Sequence, residues 1–288
     1  MDRSRRPSRH QIRRRRRVAG LALAVVAAAS AYLLLAGTVL APADRQGADV
    51  THLTIHSAAV GEDLGVNVVV PADLSEPRGE RALLVFLHGR GGSDGTFVEN
   101  EAVYARLEKL GREAPIVVFP DGGDHGYWHN RAEGDWGRYV VREVIPAVTR
   151  RFGVDPGRIA IGGISMGGFG AYDLALLHPG RFCAVGGHSA ALWFEGGETA
   201  PGAFDDAEDF ERNDVVEMAK TDLDAFDGMR VWNDYGSADP FRVYNEGFVD
   251  ALRATGTDLS AHSWRGGHDA SYWNRHWGAY LRFYANAC

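Results

Sequence analysis

Apolar and polar positions alternate along this chain in three different rhythms. From Val18 to Leu40 about 23 residues pass without a charge, long enough for a helix that crosses a bilayer. Val50 to His56 and Leu64 to Val70 are short β-branched or alternating runs, with Pro71 closing the second, and predict an antiparallel opening pair. Beyond them the rhythm becomes strand, loop, helix. Ala82 to Leu87 reads as a continuous buried strand, and Val98 to Leu110 has helical spacing ended by Gly111. Ile116 to Phe119 is a strand stopped by Pro120-Asp121-Gly122-Gly123, and Trp136 to Phe152 is a helix stopped by Gly153. Arg158 to Ile161 reads as a strand and Phe169 to Leu177 as a helix. Cys183 to Gly187, Arg230 to Tyr235 and Ala261 to Trp264 are the later strands, and Arg242 to Ala254 and Trp273 to Ala285 the late helices. Short apolar strands alternating with amphipathic helices predict an α/β fold, a mostly parallel central sheet with helices on both faces.

Charge changes the reading of the first rhythm. Residues 1–17 hold nine arginines against a single acid, Asp2. Arginines before an apolar span keep that end in the cytoplasm and send the rest of the chain across. The expected organisation is a basic segment over 1–17, a signal anchor or signal peptide over 18–43, and a catalytic domain over 44–288. Ala41-Pro42-Ala43 offers a small-residue cleavage site, while the length of the apolar run favours a retained anchor. The domain is thus expected outside the cytoplasm, anchored in the membrane or, if cut near Ala43, secreted. Of 31 basic and 38 acidic residues in all, 22 and 37 remain beyond residue 17. So acidic a domain is a poor partner for nucleic acid or anionic surfaces. The only cysteines, Cys183 and Cys288, could pair in an oxidising compartment or stand as two separate thiols.

The candidate chemistry lies where strands end. Gly163-Ile164-Ser165-Met166-Gly167 drives a strand straight into a helix, the Gly-x-Ser-x-Gly turn that lifts a nucleophilic serine at a helix N-terminus in α/β-hydrolases. A second match, Gly91-Gly92-Ser93-Asp94-Gly95, follows another strand but sits in a slack, glycine-rich loop, and Ser93 reads as an ordinary loop serine. His88-Gly89-Arg90-Gly91-Gly92 supplies a second backbone donor, so the N–H groups of Arg90 and Met166 are the expected oxyanion hole, with His88 bracing the loop. Asp239, aimed by Pro240 in the loop after a late strand, is the expected acid. Asp234, at the strand end, is expected to bond to nearby backbone. His268, in Gly266-Gly267-His268, is the expected base, and the order Ser, Asp, His matches the α/β-hydrolases. His125 and His129 lie four apart near Asp121 and Asp124, but their glycine-containing loop denies them a shared helix face, so no metal is expected. No cofactor is called for.

Together these segments resemble the Putative esterase family of the α/β-hydrolases, which includes S-formylglutathione hydrolase, feruloyl esterases and secreted mycolyltransferase antigens. The resemblance runs from about Ala82 to Ala285. It rests on the His-Gly-x-Gly-Gly loop, Asp121-Gly122-Gly123 with Trp128, and Tyr139-Val140-Val141-Arg142-Glu143-Val144-Ile145-Pro146. It rests also on Ser165-Met166-Gly167-Gly168-Phe169-Gly170-Ala171, His178-Pro179 with Arg181-Phe182, and His268-Asp269-Ala270-Ser271-Tyr272-Trp273. It implies acyl transfer by Ser165, Asp239 and His268, on a small-molecule, glycan or lipid ester. Gly187-His188-Ser189-Ala190 departs from the Ser-Gly that relatives often carry there, which bears on acyl specificity. Residues 191–221, with Trp193-Phe194 and a run of acids, are expected to form a lid or a solvated loop, and Trp128 and Trp193 are the candidate substrate contacts. Three function classes follow: an exported serine esterase, an envelope acyltransferase, and a non-catalytic surface protein on a hydrolase fold.

Overall fold

The computed structural model describes residues 43–72, 77, 79–222 and 224–288. The basic segment and the apolar run expected to be an anchor lie outside the described residues. Among the described residues no helix is long and apolar enough to cross a membrane. Residues Asp44–Cys288 form one compact unit.

Among the described residues there are ten strands: β1 (Asp49–His56), β2 (Asp63–Val70), β3 (Arg81–Leu87), β4 (Ile116–Pro120), the short hairpin β5 (Asn130–Arg131) and β6 (Gly134–Asp135), β7 (Val154–Ile164), β8 (Ala184–His188), β9 (Arg230–Gly236) and β10 (Leu259–Trp264). Eight form one sheet in the order β1-β2-β4-β3-β7-β8-β9-β10. β1 and β2 pair antiparallel, as does β2 with β4. Every other neighbour pair, from β4-β3 across to β9-β10, is parallel. The sheet is therefore mostly parallel, as its long apolar strands require of a sheet covered on both sides.

The helices follow the predicted alternation, with boundaries set by local chemistry. α1 (Glu101–Leu110) begins three residues later than its apolar spacing suggests. The Asn100 side chain caps it by accepting the Ala102 N–H at 3.1 Å, and Val98 and Asn100 are already committed to turns. α2 runs through Trp136–Arg138, Tyr139–Val144 and Ile145–Phe152, its middle segment widened to a π-helix. Pro146 has no N–H to donate to the Arg142 carbonyl four residues back, so the regular ladder cannot pass through this point. The further α-helices among the described residues are α3 (Met166–Leu177), α4 (Ala207–Arg212), α5 (Val215–Thr221), α6 (Arg242–Thr255) and α7 (Ala270–Ala287).

Adjacent glycines of β8 show how the two faces are filled. Side chains alternate across a strand; a Cβ on Gly186 would strike Tyr284 of α7, and one on Gly187 would strike Tyr172 of α3. α1 and α7 pack on each other on the first face, and α3 meets α5, which meets α6, on the second. Cys183, just before β8, is joined to Cys288 at the chain's end by a disulfide with Cα atoms 5.5 Å apart, tying the end of α7 to the sheet. Residues 191–221, expected to be a lid or a solvated loop, hold the two short helices α4 and α5 and bury Trp193, Phe210, Val215 and Val216 in the core.

Candidate active site

The parallel strands end along one edge, and the loops leaving β3, β7, β9 and β10 meet there. Ser165 follows β7 directly, with φ 57° and ψ −116°, a conformation costly for a residue with a side chain. The turn holds because no larger residue fits around it. A Cβ on Gly163 would overlap the Gly167 backbone, and one on Gly167 would overlap the Leu87 carbonyl. The Ser165 N–H donates to the His188 carbonyl at 3.1 Å, while its own carbonyl accepts from Gly168, Phe169 and Ala191. The backbone is thus fully engaged, and the side chain stands clear at the N-terminus of α3.

His268 reaches Ser165 from the loop after β10, with Nε2 2.9 Å from the serine Oγ. Its Nδ1 lies 3.2 and 3.1 Å from the two Asp239 carboxylate oxygens. The carboxylate can only accept, so Nδ1 carries the proton and Nε2 is free to accept from the serine hydroxyl. Asp239 is buried, and the Phe241 N–H donates to it at 2.8 Å. Burial pushes its pKa up, but the hydrogen bond and charge of His268, the nearby Ser189 hydroxyl and the Phe241 N–H outweigh it, and the carboxyl sits below its ordinary value. The Ser189 hydroxyl lies close enough to act on that charge without reaching full hydrogen-bond geometry.

The loop after β3 passes directly over the serine: a Cβ on Gly89 would touch Ser165 Cβ and the Ile164 carbonyl. Among the described residues neither the Arg90 N–H nor the Met166 N–H has an acceptor, and both belong to the segments that flank Ser165. His88 is buried beneath them. Its Nδ1 lies 2.9 Å from the Gly89 carbonyl, and its Nε2 accepts the Gly122 N–H at 2.9 Å, which fixes one tautomer and locks two loops together. Trp128, a candidate substrate contact, has no exposed surface. Its indole N–H donates to the His88 carbonyl at 3.2 Å and its ring lies against the His88 ring, so its contacts support the loop from below. Trp193 is also buried, with its ring near those of Tyr127, Phe169, Phe204 and Phe241. Phe241 and Trp273 flank the His268 ring at 5.2 and 5.1 Å between centroids.

Backbone strain marks residues that sequence reasoning passed over. Five described residues other than glycine have positive φ: Gln46, Tyr127, Trp128, Ser165 and Ser189. All but Gln46 surround this site, and no sequence pattern announces such a conformation at Tyr127 or Ser189. Ser93, the rival serine, is exposed, and its hydroxyl accepts the Gly95 N–H at 3.3 Å within its own turn. His129 is paired with Asp209 at 3.0 Å in the interior and His125 lies at the surface. Among the described residues no three His, Cys, Asp or Glu side chains are grouped to hold a metal ion. Asp234, expected to bond to backbone, instead takes four side-chain donors: His188 and Trp232 on one oxygen, Tyr272 and Tyr280 on the other.

Known proteins share this arrangement of chain. A ferulic acid esterase structure superposes with a TM-score of 0.74 at 22% identity, over 84% of this chain and 99% of that one. Esterase Rv1288 of Mycobacterium tuberculosis is 31% identical over 141 residues, which are 46% of this chain and 30% of that protein. The MPT51 antigen of Mycobacterium leprae is 29% identical over 61% of this chain and 54% of its own length. The match thus spans about a third of the first relative and about half of the second. The profile described as Putative esterase matches residues 57–283, and on that match the chain belongs to the Putative esterase family.

Proposed function

We propose that the protein is a serine esterase that cleaves carboxylic esters through an acyl-enzyme, held outside the cytoplasm by its N-terminal segment or released by its cleavage. The observation that carries this reading is the contact of His268 Nε2 with Ser165 Oγ at 2.9 Å, with Asp239 on the other ring nitrogen. As Ser165 Oγ attacks the ester carbonyl, His268 Nε2 takes the hydroxyl proton. Asp239 holds the imidazole in the tautomer that makes this possible and stabilises the imidazolium. The carbonyl oxygen becomes an oxyanion within reach of the Arg90 and Met166 N–H groups, each such donor being worth about 3 kcal/mol in related chemistry. The tetrahedral intermediate collapses, the alcohol leaves with the His268 proton, and the acyl group stays on Ser165. Water then attacks with His268 as base, releasing the acid and restoring the serine.

Labelling of the full-length chain in a nonionic detergent with a fluorophosphonate, read by intact mass, tests this reading. One adduct on the parent and none on Ser165→Ala is the expected result. No adduct on folded protein would favour the non-catalytic surface protein, and an adduct that persists on Ser165→Ala would move the nucleophile to Ser93. A second reading, an envelope acyltransferase, is favoured by the basic and apolar start of the chain, which points to an envelope site near sugar and lipid hydroxyls. It predicts that an added sugar hydroxyl captures the acyl group faster than water does.

A further inference from the structure

At the far end of the helix that begins at Ser165, three basic side chains share one groove. Leu177 ends α3, and with His178, Arg181, Val141, Arg142 and Pro146 it lines an open groove of about 530 Å³, a size that suits a small ligand. α3 has 12 residues, so this groove lies roughly 18 Å from the nucleophile along the helix axis and is separate from the site described above.

The charge here runs against that of the domain. Acids outnumber bases 37 to 22 beyond residue 17, and several arginines elsewhere pair with acids, such as Arg131 with Asp205, Arg212 with Asp209, Arg230 with Asp258, Arg242 with Glu246 and Arg253 with Asp250. In this groove, among the described residues, no carboxylate pairs with Arg142, His178 or Arg181. Burial first, and then the neighbouring guanidinium of Arg142, pushes the Arg181 pKa down. Burial, Arg142 and Arg181 together do the same to His178. The C-terminus of α3 offers the cations roughly half a negative charge, well short of two guanidiniums. Mutual repulsion between the exposed Arg142 and the partly buried Arg181 is relieved by an anion, and two guanidiniums plus an imidazole match a doubly charged tetrahedral oxyanion better than a carboxylate. Leu177, exposed despite its size, and Pro146 give an apolar floor beside the charges.

We propose that the Arg142–His178–Arg181 groove is a binding site for a small phosphate monoester, its phosphate on the two arginines and its organic part on Leu177 and Pro146. The test is calorimetric titration of the full-length chain in nonionic detergent, at constant ionic strength, with inorganic phosphate, phenyl phosphate, dihexanoyl phosphatidic acid and acetate. Phosphate binds saturably with a Kd on the order of 1 mM, phenyl phosphate binds more tightly, and acetate binds far more weakly. Tighter binding of phenyl phosphate assigns the site to soluble esters, and tighter binding of the lipid assigns it to a head group. The double variant Arg142→Ala/Arg181→Ala lowers phosphate affinity by about tenfold or more, and its hydrolysis of p-nitrophenyl acetate matches the parent. Should that variant fail to fold, Arg181→Lys, which keeps the charge and loses the planar fork, serves instead and weakens binding by a few-fold. Phosphate heats that never saturate, acetate that binds as well as phosphate, or a folded variant that binds phosphate like the parent would each overturn the proposal.

Discussion

Two His–Asp pairs lie on either side of the same turn of chain, and they are built for opposite ends. His268 meets Asp239 at 3.1 Å and His188 meets Asp234 at 2.7 Å, and the two aspartates stand five residues apart at the end of β9. What differs is where the second ring nitrogen points and how many partners each carboxylate has. His268 turns its Nε2 to a half-exposed serine. His188 turns its own to the Tyr284 hydroxyl at 2.9 Å, in an interior made roomy by Gly162 and Gly186. Asp234 accepts from four side chains, while Asp239 accepts from His268 and one backbone N–H. The tyrosines around Asp234 stay protonated, because burial and then its charge push their pKa values up. A saturated carboxylate in a dry interior is a cross-link. A carboxylate with one histidine, itself open to a nucleophile, can orient a proton transfer. Asp173 is the limiting case: it is buried without a hydrogen-bond partner among the described residues, and burial, then the charge of Asp209, push its pKa well above the ordinary value.

If that division is right, mutations at the two pairs separate rate from stability. The largest effect belongs to the outer pair. Ser165→Ala or His268→Ala lowers kcat by about 10⁴-fold or more and moves the melting temperature little, as read by ester hydrolysis beside thermal unfolding. Asp239→Asn, which leaves the imidazole in the wrong tautomer, lowers kcat by about 10³- to 10⁴-fold. Next in size is the inner pair. Asp234→Ala strands four buried donors and costs about 3–5 kcal/mol in unfolding by denaturant, while the fraction that stays folded keeps the parental kcat. A variant at Asp234 that is stable and inactive would dissolve the distinction, because the inner pair would then act on the chemistry through the Ser165 N–H bonded to the His188 carbonyl.

The difference between the pairs also explains what the sequence could disclose. Ser165, Asp239 and His268 sit in strand-to-loop junctions whose glycines and proline are local signals, and the structure brings all three within hydrogen-bonding distance. The alternation of strands and helices likewise predicts the mostly parallel sheet. The Asp234 hub is assembled from residues 188, 232, 272 and 280 on two strands and one helix, and no local spacing encodes that convergence. Residues 191–221 were partly legible after all. Asp206 and Asp214 cap α4 and α5 by accepting N–H groups three residues on, from Asp209 and Glu217, so an acid followed by another acid at that spacing was a helix-start signal. Helices of six and seven residues are too short to show an apolar period, and the acids there read as a solvated run instead. The π segment of α2 follows from Pro146, whose presence was visible and whose consequence was not.

A gentler variant refines the inner pair. Tyr284→Phe removes the hydroxyl that meets His188 Nε2 and leaves the ring in place, at a cost of about 0.5–1.5 kcal/mol. Because Gly162 and Gly186 already leave space for that hydroxyl, the loss leaves a small void and no clash. The measurement is the urea midpoint at unchanged slope, with kcat as the control that should not move.

The smallest effect is a pH signature that only the outer carboxylate should leave. The folded protein holds the Asp239 pKa below its ordinary value, near 3.9 for an unfolded chain. Between the folded and unfolded values the unfolded state binds the proton and the folded state does not, so stability rises with pH across that window. The contribution is fully present above about pH 4 and is lost as pH falls through the lower, folded value. Asp239→Asn has no such proton to bind, so the parent's stability advantage over it should shrink on acidification below about pH 4 and stay constant above it. Paired denaturation curves of the parent and Asp239→Asn from neutral to acid pH measure the difference directly. A gap that stays constant through the acid range would mean that His268 and the Phe241 N–H do not hold this carboxylate ionised, and the tautomer assigned to His268 would lose its support.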